Sequence, residues 1–337
     1  MEFVESLNKS EYADSLANFP EANFLQSVEW GELHQQLDMA VMRSGVRRDG
    51  QLVALWTAVV KDAKRGRYLE VAGGPLMDYS DDELLKFVLD QLKKAGQQHD
   101  CVFVRFRPQV DESSELLDRL SKLKVRRSQM HLQAEHTNII DITVDEDKLL
   151  ENMRRQTRYE VRRAAKRQLT ISSSAPTVAE IDKFYDVQME TARRHGFVQS
   201  SRQFLEAMAD SFGDNLRLYK VTQDDQLLNM ALVVYSGQEA DYYEAASTPE
   251  ARSQPGAYGL LWQAMRDAKQ KGIRRFNLWG IAYTNDPKHR YAGVTTFKRG
   301  FGGQDVVYMP AHDLVLKPSH YVKNWVVETV RKRKRGL

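Results

Sequence analysis

With Cys101 as its only cysteine, this 337-residue chain can close no internal disulfide. The thiol sits in the strand-like run CVFVRF, a setting for packing rather than for nucleophilic catalysis, and no nucleophile-elbow motif surrounds it. Nowhere do eighteen apolar residues follow one another, which excludes a transmembrane helix on pattern. The opening MEFVESLNKSEYADS has neither the basic nor the apolar region of a secretory signal, so the expected location is the cytoplasm. Histidines 34, 99, 131, 136, 195, 289, 312 and 320 show no ligand spacing with cysteine or carboxylates, so no metal is expected. No heptad pattern is sustained, which argues against a coiled-coil arm.

Net charge is also small, at +3, but it is unevenly spread. Arg154 to Arg167 (RRQTRYEVRRAAKR) and Arg331 to Arg335 (RKRKR) are dense in cations that local acids do not balance, which suits phosphate-rich partners or an anionic lipid surface. The first cluster follows a cap signal, Asp145 and Asp147 before Leu149 and Leu150, and is expected on one amphipathic helix near a domain junction.

What the chain does contain is a repeat. VRRDGQLVALWTAVVK and VTQDDQLLNMALVVYS each read as strand, two-residue turn, strand. LLKFVLDQLKKAGQQHDCVFVRF and LLWQAMRDAKQKGIRRFNLW each read as an amphipathic helix stopped by glycine (Gly96, Gly272) and followed by a strand. To within one residue, the same offset relates Gln51 to Gln226 and Leu84 to Leu260, as duplication requires. The expected fold is α/β (α+β): two tandem units, each a mixed sheet flanked by helices. The junction is expected near Asp141 to Asp147, giving domains 1–144 and 145–312. The terminal helix, 313–337, would pack back on the first domain through Tyr321, Trp325 and Val326.

Two such units in tandem resemble acyltransferase domains of the GNAT type. The ordered set FLQSVEW, GGPLMD, TRYEVRRAAKRQLTI, LLWQAMRDAKQKGIRRFNLWGI and TTFKRGFGG is similar to the FemABX family of aminoacyl-tRNA-dependent peptidyltransferases, in its short form without the helical arm. The resemblance spans nearly the whole chain. It implies transfer of an amino acid from aminoacyl-tRNA to an amine on the stem peptide of a peptidoglycan precursor, either UDP-MurNAc-pentapeptide or lipid II, by a monomer needing no cofactor. Peripheral contact with the cytoplasmic membrane is a further implication, to which the basic tail adds.

That reaction passes through a tetrahedral oxyanion, which calls for a positive group at the ester carbonyl. The family's FK element places Lys298 there, in a Gly-rich loop after Phe297, as the expected catalytic electrostatic anchor. Tyr242 matches the family position that contacts the acceptor, although the residues alone allow a structural role for it or for Tyr243. Arg202, before a helix, matches the family's phosphate-binding arginine, with Arg193 and Arg194 as alternatives. The resemblance makes Trp30, His34 and Arg107 substrate-binding candidates, and Arg154, Arg155, Arg158 and Arg162 candidates for contacting tRNA.

Three departures from the family pattern stand out. His34 replaces a phosphate-binding lysine, Arg107-Pro108 replaces an Asp-Pro pair, and FNLWGI puts Asn277 in place of an aspartate and Trp279 in place of a small residue. No protein base is evident beyond Asp78 and Glu244, both readable as turn or surface carboxylates. Substrate-assisted proton transfer is compatible with that. Two other readings stay open. Gln254 to Gly259 fits a CoA pyrophosphate loop and an acyl-CoA-dependent N-acyltransferase, and the basic clusters alone would fit an RNA-binding protein without catalysis.

Overall fold

The computed structural model describes residues 1–195 and 199–335. In chain order the elements begin with β1 (Glu2–Val4), α1 (Lys9–Leu16), α2 (Val28–Gln36), β2 (Val41–Arg48), β3 (Gln51–Ala63), β4 (Gly66–Gly73), β5 (Leu76–Met77), α3 (Asp82–Gln98) and β6 (Phe103–Pro108). There follow α4 (Ser114–Lys122), β7 (Arg126–Arg127), β8 (His136–Asp141), α5 (Glu146–Asn152), α6 (Arg155–Lys166), β9 (Thr170–Ser174), α7 (Val178–His195) and α8 (Arg202–Phe212). The remainder is β10 (Leu216–Gln223), β11 (Gln226–Ser236), β12 (Glu239–Ser247), α9 (Gly256–Gln270), β13 (Arg275–Gly280), α10 (Ala292–Arg299), β14 (Gln304–Val307), β15 (His312–Val315) and α11 (Pro318–Arg335).

Two compact units result, one of residues 1–135 with 307–337 and one of residues 136–306. The first holds an eight-stranded sheet in the order β1-β2-β3-β4-β6-β15-β7, with β5 on β3. The second holds seven strands in the order β14-β8-β13-β12-β11-β10-β9. Both sheets are mixed and carry helices, as the sequence led us to expect.

The duplication is visible position by position. In each unit a hairpin (β2–β3, β10–β11) leads to an antiparallel third strand (β4, β12), and that strand pairs in parallel with the strand after the crossover helix (β6, β13). The hairpin turns use left-handed residues at matching places, Asp49 with Gly50 and Asp224 with Asp225, the geometry that follows a strand's right-handed twist. Each hairpin also slips register at the same point, between Val46 and Arg47 and between Val221 and Thr222. The crossover helices bury the same stripe: Leu84, Leu85, Val88, Leu89 and Leu92 in α3, and Leu260, Leu261, Ala264, Met265 and Ala268 in α9. These stripes pack into the two largest apolar cores, against Trp56 and Phe106 in one unit and Val233 and Phe276 in the other. Removing any one of the leucines would cost about 2–5 kcal/mol.

The division falls after Glu135, not between residues 144 and 145. The reason is topological. β8, the last strand of the first repeat, pairs with β13, while its counterpart β15 at the end of the second repeat pairs with β6. Each sheet is thus completed by the closing strand of the other copy, and a boundary set by the order of motifs misses the exchange.

The terminal segment is likewise not helical throughout: 312–315 is strand, and the helix starts at Pro318. α11 docks on the first unit through Tyr321, whose hydroxyl donates to Asp313 Oδ2 at 2.9 Å, through Asn324, which accepts from Arg65 Nε at 2.9 Å, and through Glu328. Trp325 and Val326 do not share that face as expected; they are 40% and 48% exposed. The hydrogen-bonding needs of Asp313, Arg65 and Arg105 set the inward face, against the apolar pattern. The side chains of 333–335 and residues 336–337, part of the basic tail, lie outside the described residues.

Candidate functional site

The site in the second unit starts from an irregular strand end. β13 pairs with β8 up to Asn277, loses register, and resumes at Gly280. Between them Trp279 adopts φ +59°, a left-handed conformation that is strained for a bulky side chain. Asn277 holds it: its Oδ1 accepts from the Trp279 backbone N–H at 2.9 Å and from the Thr137 hydroxyl, while its Nδ2 donates to Glu239 Oε1 at 3.0 Å. The Trp279 ring packs edge-on to Tyr243. The amide at 277 therefore has a structural reason: one side chain must both accept and donate, which an ionised carboxylate cannot do.

This irregularity brings the Gly280 carbonyl to Lys298, whose Nζ donates to it at 2.8 Å. Lys298 does not lie in a loop as expected; it sits in the last turn of α10, because residues 292–299 close a helix before the glycines begin. It is 8% exposed, and its Nζ lies 5.9 Å from the centre of the Tyr242 ring. Burial alone lowers the ammonium from its ordinary value to about 7, since a low-dielectric site penalises the charged form. Tyr242 is buried too, its hydroxyl pushed well above the usual tyrosine range by desolvation. The structure thus joins two residues that the resemblance had named separately.

It also joins α10 to the basic cluster. The Arg154 backbone N–H donates to the Gly300 carbonyl at 2.9 Å, and a Cβ on Gly300 would lie 2.3 Å from Thr157 Oγ1, so only glycine permits this approach. The cluster is not on the helix capped by Asp145. That helix, α5, ends at Asn152, and extended backbone at Met153 and Arg154 leads into a separate α6. α6 has no side-chain cap, so its first N–H groups and the positive end of its dipole are directed at whatever lies there. Arg154, Arg155, Gln156 and Tyr159 line a surface cavity of about 650 Å³ at this end. Tyr159 is 59% exposed, and Arg162 continues the exposed face one turn on. Arg158 is differently placed: its Nη1 donates to the carbonyls of Leu150 and Glu151, closing the end of α5.

The remaining candidates of this unit serve the fold. Arg202 opens α8, forms ion pairs with Asp182 and Asp186 of α7, and lies over Tyr185. Glu244 is half-buried, accepts from Gln188 Nε2 at 2.6 Å and from the Ser200 hydroxyl, and its carboxyl is raised by desolvation. Arg194's side chain falls outside the described residues. At the CoA-like loop, the start of α9 is crowded by α6: a Cβ on Gly259 would meet Ala164 at 2.9 Å, and Arg163 Nη2 donates to the Ser253 carbonyl at 3.1 Å. The glycine there is required by helix packing.

In the first unit Trp30, His34 and Arg107 are all buried. His34 Nδ1 faces the Trp30 carbonyl at 2.8 Å, and burial with the nearby Lys61 cation lowers the imidazole to about 4, so it is neutral. A cation does occupy this neighbourhood: Lys61 of β3, which sequence reasoning missed because it ends an apolar strand and carries no motif. Arg107 is 0% exposed, and only its Nη2 finds a partner, Gln109 Oε1 at 2.9 Å; Nε and Nη1 have none. Desolvation lowers the guanidinium to about 10, with the Tyr308 ring 5.5 Å away as partial compensation. Asp78 is an exposed turn carboxylate accepting from the Ser80 N–H and hydroxyl, which lower it below its ordinary value. Cys101 is buried, its thiol pushed up to about 11.

Comparison with known proteins finds matches in both halves of the chain. Residues 7–141 match the FemAB family, and residues 151–299 match the acetyltransferase (GNAT) domain. The lipid II:glycine glycyltransferase of Staphylococcus aureus is 23% identical over 290 residues, covering 80% of this chain and 68% of that protein. Among solved structures, the crystal structure of FemX superimposes with a TM-score of 0.85 at 18% identity, covering 97% of this chain and 100% of that one. A tandem GNAT protein from the clavulanic acid pathway gives 0.58 at 13% identity, over 94% of this chain and 98% of its own. The two-unit fold is therefore one that acyltransferases share.

Proposed function

This chain is a member of the FemAB family, and from that premise we propose that it transfers an amino acid from aminoacyl-tRNA to an amine of a peptidoglycan precursor. The observation that carries the reading is the junction of Lys298 with the uncapped, arginine-rich start of α6. Phosphates of a tRNA 3′ end would meet the α6 N–H groups, Arg154 and Arg155, with Arg162 further along. Tyr159 offers an exposed ring on which a terminal base can stack. Arg158, spent on α5, would hold the helix start in place.

In the reaction the acceptor nitrogen attacks the ester carbonyl carbon, the carbonyl oxygen becomes an oxyanion, and the carbon–oxygen bond to the ribose then breaks. Protonated Lys298 would stabilise that oxyanion, moving its Nζ from the Gly280 carbonyl to the developing charge. Tyr242 walls this space and orients the acceptor. With Asp78 and Glu244 occupied structurally, the amine proton would pass to the departing ribose oxygen, which needs one. For the acceptor we favour the lipid-linked precursor, the substrate named for the staphylococcal relative. Within the first unit, Trp30, His34 with Lys61, and Arg107 would contribute to acceptor binding; within the second, Arg202 would hold α8 to α7 through its ion pairs.

The test is a transfer assay with mixed aminoacyl-tRNAs and both precursors, read by the mass added to the product. Wild-type protein should form one aminoacylated product, and Lys298→Met should lose about 100-fold or more in kcat. Full turnover by the variant would remove Lys298 from the mechanism, and the absence of product with every precursor would leave the RNA-binding reading.

A further inference from the structure

Four of the ten large apolar side chains exposed among the described residues belong to one helix, α11: Val322 at 57%, Trp325 at 40%, Val326 at 48% and Val330 at 47%. At about 100° per residue, Trp325, Thr329, Val322, Val326 and Val330 follow one another round an arc of about 140°. Lys332 flanks one rim of that arc and Lys323 the other. The opposite side of α11 is spent on the first unit, through Tyr321, Asn324 and Glu328. The outward face is therefore not a core stripe left over from docking; it is a second, independent apolar surface.

Charge decides what fits it. Glu328 is the only acid between Pro318 and Arg335, and it is bonded inward to Arg105. Arg331 and Lys332 follow the apolar residues, and the sequence adds three more cations up to Arg335. Apolar residues in the middle, lysines at the rims, and no acid facing outward make the pattern of a helix that lies in a bilayer interface, its lysine stems reaching back to the headgroups. No helix among the described residues is long and apolar enough to cross a membrane. We propose that α11 is a surface anchor, binding parallel to an anionic phospholipid bilayer with Val322, Trp325, Val326 and Val330 immersed and Lys323 and Lys332 among the headgroups. The anchor goes beyond the transfer activity and is tested without it.

The full chain would be sedimented, without tRNA or precursor, with vesicles of phosphatidylcholine containing phosphatidylglycerol and with vesicles of phosphatidylcholine alone. Wild-type protein should partition to the first and far less to the second. The double variant Trp325→Ser/Val326→Ser should bind about tenfold more weakly, and Lys323→Glu/Lys332→Glu, which keeps the apolar face, should lose the preference for the anionic lipid. Anionic vesicle binding unchanged in both variants would overturn the proposal. So would a wild-type dimer that the Trp325→Ser/Val326→Ser variant dissolves, or loss of tRNA binding in that variant with vesicle binding intact.

Discussion

The Nζ of Lys298 donates to the carbonyl oxygen of Gly280 at 2.8 Å, next to a residue, Trp279, held at φ +59°. A lysine buried with one neutral acceptor and no carboxylate partner has only weak compensation for its charge, and two measurable consequences arise from that.

The first concerns stability. Lys298 titrates at about 7 in the folded chain against 10.5 when exposed, so between those values the unfolded chain binds more protons and stability rises with pH. Below pH 7 the penalty for charging the buried amine is present in full. Lys298→Met should therefore be more stable than wild type by about 1–3 kcal/mol at neutral pH, after loss of the Gly280 hydrogen bond is counted. The gap should close toward pH 10. Urea denaturation across pH checks this, and a gap independent of pH would show that the lysine is not buried as a neutral amine.

The second concerns rate. If the protonated form stabilises the oxyanion, kcat/KM for aminoacyl-tRNA, which reports the free enzyme, should fall about tenfold per pH unit above a value near 7. The limb should be missing in the residual activity of Lys298→Met. A limb that instead rises through pH 7 and vanishes in that variant would assign Lys298 the role of proton acceptor.

In the first unit, Arg105 holds Asp313 through two hydrogen bonds of 2.7 and 2.9 Å and Glu328 through two of 3.1 and 2.9 Å. Asp313 is 0% exposed. Arg105→Met leaves that carboxylate buried without its cation, and should destabilise this unit by about 3–5 kcal/mol in chemical denaturation. Adding Asp313→Asn should restore part of the loss, because the orphaned charge goes with it. No recovery in the double variant would mean that the arginine's packing, not its charge, secures α11.

Arg107 poses the opposite case. It stands where the family pattern has an aspartate, yet nothing local in FVRFRPQ foretells that the guanidinium is enclosed with two donors unmet. A short-range pattern reports which face of a strand a residue occupies, and Arg107 alternates correctly with Phe106 and Pro108. Whether that face is lined by carboxylates or by tyrosines depends on Tyr79, Glu135 and Tyr308, each brought from a different part of the chain. Lys61, the cation near His34, was not legible for the same reason.

The sequence by itself determined the elements and their duplication. Asp49-Gly50 and Asp224-Asp225 make tight turns from local backbone preference, Ser27 and Asp81 cap the helices that follow them, and the leucine stripes of α3 and α9 repeat at a fixed offset. All of these act within a few residues. Tertiary structure alone decided that β8 and β15 complete each other's sheets, that Asn277 and Trp279 turn the Gly280 carbonyl toward Lys298, and that Trp325 faces outward. Those choices balance hydrogen bonds and burial between segments more than a hundred residues apart in the strand exchange, and no local pattern carries that information.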